Sequence, residues 1–185
     1  MNKDDTYWAV LNAAIALDFA KGHQRWTLSE LSRSSKVTRS LIYYYFGKSK
    51  ENILTEAVKL MGEEVFGLNP ARKDMWTKGE IAESVVITRK LLEKSPHIMA
   101  FYMVHRTAES EIGKSLRELE SEYFKKLKRF FTTATDTSIE ALYCLFLGLV
   151  MAPSLSEDAA KQAVAAVLRL STQPTFSKSS PPSSS

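Results

Sequence analysis

The chain has 185 residues, of which 44% are hydrophobic, 25% are charged and one, Cys144, is a cysteine. That length allows one domain or two small ones with a real core, and a single cysteine excludes an intrachain disulfide. The net charge is +4, yet Lys21–Lys50 alone contributes +6, which leaves −2 for the rest of the chain. A surplus this local indicates one anion-binding face.

The sequence shows neither a signal peptide nor a segment long enough to span a membrane. The first residues, MNKDDTYW, are polar and acidic and lack the pattern of a signal peptide. The longest apolar run, 141–153, is shorter than the roughly 18 residues that indicate a membrane span. The sequence therefore predicts a soluble cytoplasmic protein with no membrane partner.

Helical spacing of apolar residues recurs along the chain without convincing strand alternation, which predicts an all-α fold. The first helix carries Trp8, Leu11, Ile15 and Phe19 and ends near Gly22. It is followed by shorter segments that begin at residues suited to capping a helix.

Three such segments are predicted before residue 67. Thr27-x-x-Glu30 is a capping-box pattern that opens the second helix, and 34–36 form the turn that follows it. Thr38 opens a third helix, and Ser49 caps a fourth. Short helices joined by a tight turn are typical of a helix-turn-helix motif.

Gly67-Leu68-Asn69-Pro70 interrupts the periodic pattern and marks the predicted boundary between two domains. Five more helices are predicted, at about 78–94, 96–109, 112–134, 138–152 and 156–171. The resulting organisation is a helix-turn-helix domain at 1–48, a connecting helix at 49–66, a second helical domain at 67–171, and a Ser/Pro-rich disordered tail at 172–185.

The third helix has two different faces. Val37, Ile42 and Phe46 can point inward, whereas Ser40 and Tyr44, one turn apart, then point away. About eight residues make a helix of about 12 Å, a length that suits entry into the DNA major groove.

The residue types on and around this helix suit a phosphate backbone and base edges. Arg39 can fork to a guanine or clamp a phosphate, and small hydroxyls allow close approach. Lys48 and Lys50 lie where the fourth helix begins, so charge and free N–H groups can meet one phosphate there. The predicted DNA-binding residues are Thr27, Lys36, Thr38, Arg39, Ser40, Tyr43, Tyr44, Lys48 and Lys50.

Residues 8–66 resemble the DNA-binding domain of the TetR (tetracycline-repressor) family of bacterial transcription regulators. The resemblance lies in the segments Thr27–Ser32, Val37–Ser40, Ile42–Phe46 and Lys50-Glu51. It implies that Arg39, Ser40, Tyr43, Tyr44 and Lys50 occupy positions that contact DNA in that family. It also implies a homodimer that acts on a double-stranded operator and responds to a small-molecule effector.

The chain departs from the family pattern in two places. Lys36 stands where the family has a turn glycine, so a positive φ there would strain the lysine by about 1 kcal/mol. The segment before Lys50 is one residue longer than the commonest spacing, which leaves open whether Lys48 or Lys50 meets the phosphate.

In the second domain, two interpretations of the last helices remain open. Residues 141–151 are apolar all round and must be covered on every side, and the following helix offers small residues for close packing. The covering could be an intramolecular core, or a dimer interface in which each subunit gives two helices to a four-helix bundle.

An aromatic set in the second domain could line an effector pocket or form ordinary core. The candidate pocket residues are Trp76, Phe101, His105, Tyr123 and Cys144. The charges of 118–129 are interpreted as a solvated face, with Glu122–Lys126 a weak pair one turn apart. His97 and His105 lack supporting cysteines or acids, so no metal site is predicted.

Phosphate-binding glycine loops and nucleophile–base motifs are missing from the sequence, so neither an enzyme nor a cofactor is predicted. The favoured function is a DNA-binding transcription regulator that acts on a palindromic operator as a homodimer. The resemblance implies that it is a ligand-responsive repressor, with a DNA-binding domain at 1–48 and a helical bundle for ligand binding and dimerisation at 67–171. Two alternatives stay open: a helical protein-interaction module with a basic face, and a small helical carrier or enzyme that uses the C-terminal aromatic cavity.

Overall fold

A computed structural model describes residues 2–152 and 155–172, and the prediction of an all-α fold is confirmed for them. The helices are α1 (Lys3–Lys21), α2 (Leu28–Ser35), α3 (Arg39–Phe46), α4 (Lys50–Glu64), α5 (Pro70–Thr77), α6 (Ile81–Lys94), α7 (His97–His105), α8 (Glu111–Phe130), α9 (Asp136–Met151) and α10 (Glu157–Thr172). Within these residues no helix combines the length and apolarity needed to cross a bilayer.

The predicted end of α1 and the predicted starts of α2 and α3 are confirmed. Gly22 ends α1, and Thr27 opens α2 with a complete capping box in which its hydroxyl accepts from the Glu30 N–H. Thr38 caps α3 through the Leu41 N–H. Buried side chains, Trp26 among them, close the small core that these helices share.

Helix α4 connects the two parts of the molecule. Ser49 caps it as predicted, and its apolar face, which includes Ile53, Leu54 and Ala57, is fully buried. The helix packs on both α1 and α8. A displacement of α8 can therefore reach the N-terminal helices through one rigid element.

Helix α5 corrects the sequence interpretation, which placed a boundary at 67–70 and predicted no helix before about 78. Asn69 is its N-cap, accepting from the Arg72 N–H at 2.8 Å, and Pro70 is its first residue. Proline is favoured at this position because the first N–H of a helix has no partner within the helix. The same Asn-Pro pair that reads as a chain break is thus a helix start.

Helices α6 to α10 form the larger core, in which α6 packs on α5, α9 and α10. The buried Arg89 of α6 donates to the carbonyls of Leu149, Ala152 and Leu155 at 2.6 Å. It thereby supplies hydrogen bonds to carbonyls at and just after the C-terminal end of α9, which have no partner within the helix. Helix α8 ends at Phe130, four residues before the predicted end. Of the predicted tail, residues 173–185 lie outside the described part of the chain.

Candidate nucleic-acid interface

The turn between α2 and α3 is held by serine hydroxyls. Ser32 donates to the Val37 carbonyl at 2.6 Å, and Ser35 donates to the Leu31 carbonyl at 2.7 Å. Lys36 adopts the left-handed conformation with φ 58° and ψ 25°, so the strain expected of a lysine at the turn position is present. Its side chain is exposed.

Four predicted contact residues form an exposed row along α3. Thr38, Arg39 and Ser40 lie in its first turn, and Tyr44 is 79% exposed one turn further on. The Arg39 guanidinium makes only a long hydrogen bond of 3.4 Å to the Ser29 hydroxyl, so it remains available for a ligand. This row combines one cation with hydroxyl groups, which suits base edges and phosphate oxygens.

The opposite face of α3 is fixed by aromatic packing. Ile42 and Phe46 are buried as predicted, and the Tyr7 ring of α1 lies 4.6 Å from Phe46 and 5.3 Å from Tyr45. Tyr45 is therefore the inward member of the three consecutive tyrosines. Gly47 ends the helix with φ 72°, a conformation that glycine adopts without strain. The exposed row is consequently presented from a rigid base.

Lys48 and Lys50 have different surroundings. Lys50 donates to the Gln24 carbonyl at 2.8 Å and lies over the Trp26 ring, so its ammonium ties α4 to the loop after α1. Lys48 is exposed, and its ammonium lies 5.5 Å from the centre of the Tyr43 ring. Lys48 is thus the freer of the two cations.

Thr27 and Glu30, the single acid of residues 21–50, form hydrogen bonds with each other. The Thr27 N–H donates to the Glu30 carboxylate at 2.8 Å, and the Thr27 hydroxyl lies 3.1 Å from the same oxygen. Lys21 also pairs with Glu30, and its hydrogen bond, together with those from Thr27, lowers the pKa of that carboxyl to about 2. The single acid of residues 21–50 is thereby compensated by Lys21.

Asp18 was missed by the sequence interpretation, although it organises the junction of the two parts. Its Oδ1 accepts from the Gln24 N–H at 2.7 Å and the Trp26 indole at 2.9 Å. Its Oδ2 lies 3.2 Å from His23 Nδ1 and 3.2 Å from His105 Nε2. Burial acts to raise the pKa of Asp18, but these hydrogen bonds outweigh it and hold the pKa well below its usual value.

Both histidines of α7 reach α1. His105 meets Asp18, and His97 Nε2 lies 2.8 Å from the Asn12 amide oxygen. The side-chain atoms of Asp18, His23 and His105 that could bind a metal all lie within 4.8 Å of one another, a grouping that sequence spacing did not suggest. The imidazoles already hydrogen-bond to the carboxylate, so the cluster is complete as a junction between domains.

The five predicted effector residues are not gathered in one place. Trp76 and Tyr123 line a small cavity of about 20 Å³. Phe101 packs against His105, with ring centres 4.5 Å apart, at the α1–α7 junction. Cys144 is exposed on α9. The structure therefore brings only Trp76 and Tyr123 to this cavity, and a role of the five residues in effector binding stays a prediction.

Two buried cations stand beside this cavity instead. Arg72 of α5 and Lys126 of α8 are each 5% exposed. The interpretation of 118–129 as a solvated face is wrong for Lys126, and Glu122 pairs with Lys125 rather than with Lys126. A lysine with exposed charged neighbours gives no sign of burial in the sequence.

Residues 10–57 match the family model described as "Bacterial regulatory proteins, tetR family". The matched segment spans most of α1, the whole helix-turn-helix and the first half of α4. The chain has the DNA-binding domain of a TetR-family regulator. It is therefore a DNA-binding transcription regulator, as the sequence predicted.

Solved structures share this fold across nearly the whole chain. A Clostridium perfringens protein assigned as a fatty acid metabolism regulator has a TM-score of 0.61 at 18% identity, covering 87% of this chain and 97% of its own. A Mesorhizobium loti protein assigned to the TetR family has a TM-score of 0.57 at 14% identity, covering 92% and 98%. NalD of Pseudomonas aeruginosa has a TM-score of 0.52 at 21% identity, covering 91% and 97%. No curated protein matches the sequence.

Proposed function

We propose that this TetR-family regulator is a ligand-responsive repressor that binds a palindromic operator as a homodimer. The observation that carries the DNA-binding face is the exposed row on α3, in which Arg39 and Tyr44 stand on a buried aromatic base. Repression rather than activation is supported by NalD, a protein of the same fold that is named a secondary repressor of a multidrug efflux pump.

The contacts to DNA divide into two kinds. Arg39, Thr38 and Ser40 enter the major groove with the first turn of α3, where they meet base edges. Tyr43, Tyr44 and Lys48 hold the flanking phosphates. Lys36 adds a charge in the turn, whereas Lys50 acts mainly within the protein, because its ammonium is already bound to the Gln24 carbonyl.

A dimer is supported by the outer face of α9. Its inner face is buried, but Ala141, Cys144, Leu145 and Gly148 form an exposed stripe of small and apolar side chains. Covering this stripe with a second copy removes apolar surface from water. Two copies of α3 would then meet half-sites about 34–36 Å apart, or a multiple of that distance.

The regulatory step is a shift between two spacings of the α3 helices. A ligand in the larger core favours the spacing that does not fit the operator. The contacts of α1 with α4 and α7 carry the change, since α1 packs on both.

The test uses a duplex selected from a random-sequence pool by the full-length protein. Arg39→Ala and Tyr44→Ala should each weaken binding about 10-fold to 100-fold, as loss of one good contact costs about 1–3 kcal/mol. Lys59→Ala is the control, since Lys59 is an exposed cation of α4 that pairs with Glu56 away from α3. Circular dichroism should show an unchanged helix content in all three variants.

Wild-type affinity in both α3 variants would refute the assignment of the DNA-binding face. The dimer is checked by sedimentation at micromolar concentration, where a 20.8 kDa species would contradict it. Leu145→Glu, on the exposed stripe, should dissociate the dimer and weaken operator binding without unfolding the subunit.

A further inference from the structure

The larger core holds two buried positive charges that lack an ion-pair contact. Arg72 and Lys126 are 95% buried, and neither forms an ion pair with any acid in the part of the chain that the structure describes. Glu64 acts on Arg72 from a longer distance, whereas the charges that act on Lys126 are those of Arg72 and Lys73. Buried cations in proteins are almost always paired, because removing a charge from water is costly, so this pair favours an anion beside it.

Arg72 has N–H groups that make no hydrogen bond within the described residues. Its Nη2 donates to the Ser84 carbonyl and the Thr88 hydroxyl on α6. Its Nε and Nη1 are buried without a hydrogen-bond partner among the described residues, which leaves three N–H groups unused. Buried donors are rarely left unpaired in native proteins, so these groups point to a ligand.

Lys126 is held entirely by neutral groups. Its ammonium donates to the carbonyls of Phe66 at 3.2 Å and Gly67 at 2.9 Å, and lies 3.9 Å from the centre of the Trp76 ring. A Cβ on Gly67 would lie 3.1 Å from this ammonium and 3.3 Å from the Arg72 Cβ. Glycine at this position therefore leaves room for both cations at the end of α4.

Lys126 lines two cavities, and Arg72 lines the smaller of them. The smaller cavity, of about 20 Å³, is also lined by the apolar Phe146 and Val150. The larger one is an outer cleft of about 260 Å³, whose other walls include Leu68 and Phe130. Its charged walls are mostly cationic, with one acid: Lys73, Lys125, Arg129 and Glu122.

We propose that the two cavities form a binding site for a small organic carboxylate, with the carboxylate between Arg72 and Lys126 and the apolar tail in the outer cleft. The unused N–H groups of the Arg72 guanidinium match the flat, two-oxygen head of a carboxylic acid. Leu68 and Phe130 provide an apolar surface for the tail.

This inference rests on the proposed ligand-responsive function, because it names the chemical class of the effector. Arg72 is bound to α6, and Lys126 is bound to the segment that ends α4. A carboxylate bound to both side chains would draw α5, α8 and the end of α4 together. Since α4 packs on α1, the change reaches the DNA-binding domain through a single helix.

The experiment measures binding of a series of straight-chain acids, from acetate to octanoate, to the full-length protein by calorimetry. Each acid is compared with the alcohol of the same chain length and with an equal concentration of sodium chloride. At least one acid should bind 10-fold or more tightly than its alcohol, because only the acid pairs with the buried cations. Inorganic phosphate should not bind at the same concentrations.

Two variants locate the site. Lys126→Met keeps the size of an unbranched side chain and should weaken the acid at least about 10-fold. Lys128→Met is the matched control on the same helix, where the exposed lysine pairs with Asp136 and lines neither cavity, and it should bind as the wild type does. Circular dichroism and thermal melting establish that both variants are folded.

The outcomes separate this inference from the proposed function. If no acid binds more tightly than its alcohol, or if Lys126→Met retains full affinity, the carboxylate site is refuted even where the protein binds its selected duplex. Preferential binding of phosphate would also refute it. If an acid binds and Lys126→Met abolishes that binding, but the duplex is not released, the site stands and the ligand-responsive repressor is refuted.

Discussion

Buried charge is treated in opposite ways in the two parts of this molecule. Asp18, at the end of α1, has four hydrogen-bond partners that surround both of its oxygens. Arg72 and Lys126, in the larger core, have no ion-pair partner within the described residues, and two nitrogens of Arg72 lack any partner there. A fully satisfied charge holds a fold together, whereas an unsatisfied one leaves a place for a ligand.

Removing the carboxylate of Asp18 should have the largest effect on stability. Asp18→Ala is expected to lower the free energy of unfolding by about 3–5 kcal/mol, because it strips a buried carboxylate from the groups that depend on it. Gln24, with φ 56°, would also lose the hydrogen bond that fixes its left-handed backbone. Urea denaturation measures the change.

Asp74→Ala is the control, since Asp74 forms an exposed ion pair with Lys78 and should change stability by less than about 0.5 kcal/mol. The pKa of Asp18 is lower in the folded state, so its stabilisation is present above the ordinary carboxyl pKa and is lost as the pH falls below that value. A loss of under about 1 kcal/mol in the free energy of unfolding for Asp18→Ala would contradict the view that this buried charge stabilises the fold.

The charge of Lys126 should lower stability where that of Asp18 raises it, so both contributions rise with pH but in different pH ranges. Burial, and then the charges of Arg72 and Lys73, lower the pKa of Lys126 to about 7, while Tyr123 is the other titratable group against it. The unfolded chain then binds more protons than the folded one between pH 7 and 10. Stability attributable to Lys126 should therefore rise with pH above 7, by at most about 1.4 kcal/mol per pH unit.

The measurement is urea denaturation of the wild type and of Lys126→Met at pH 6, 7, 8 and 9. The difference between the two proteins should be largest at pH 6, where the variant is the more stable by about 1–4 kcal/mol because an uncompensated buried charge has been removed. It should shrink as the pH rises. A variant that is less stable than the wild type at pH 6 would show that Lys126 is a structural cation.

The sequence predicted the N-terminal part well because its signals are local. The capping box at Thr27, the cap at Ser49 and the inward set of Val37, Ile42 and Phe46 depend on residues within about one helical turn of one another. The structure confirms each of them. The assignment of individual DNA contacts stays a prediction.

The larger core was less predictable because its decisive contacts join distant residues. Lys126 meets carbonyls about sixty positions earlier in the chain, and Arg72 reaches α6 from a helix that the Asn69-Pro70 pair concealed. Asp18 is likewise defined by His105 on α7. Nothing in the local pattern distinguishes these charged side chains from those of a solvated surface, since burial depends on tertiary packing.

The smallest effect concerns Lys36, where the otherwise well-satisfied N-terminal part carries strain. Its φ of 58° is favourable for glycine and costs a lysine about 1 kcal/mol, so Lys36→Gly should raise the free energy of unfolding by up to that amount. Lys36→Ala removes the same charge but keeps a Cβ, and should give no such gain. If both variants stabilise the protein equally, charge rather than backbone strain is responsible.

If Lys36 also meets a phosphate, both variants should weaken binding to the selected duplex to a similar extent. They should also lower the slope of log affinity against log salt concentration by about one unit in magnitude.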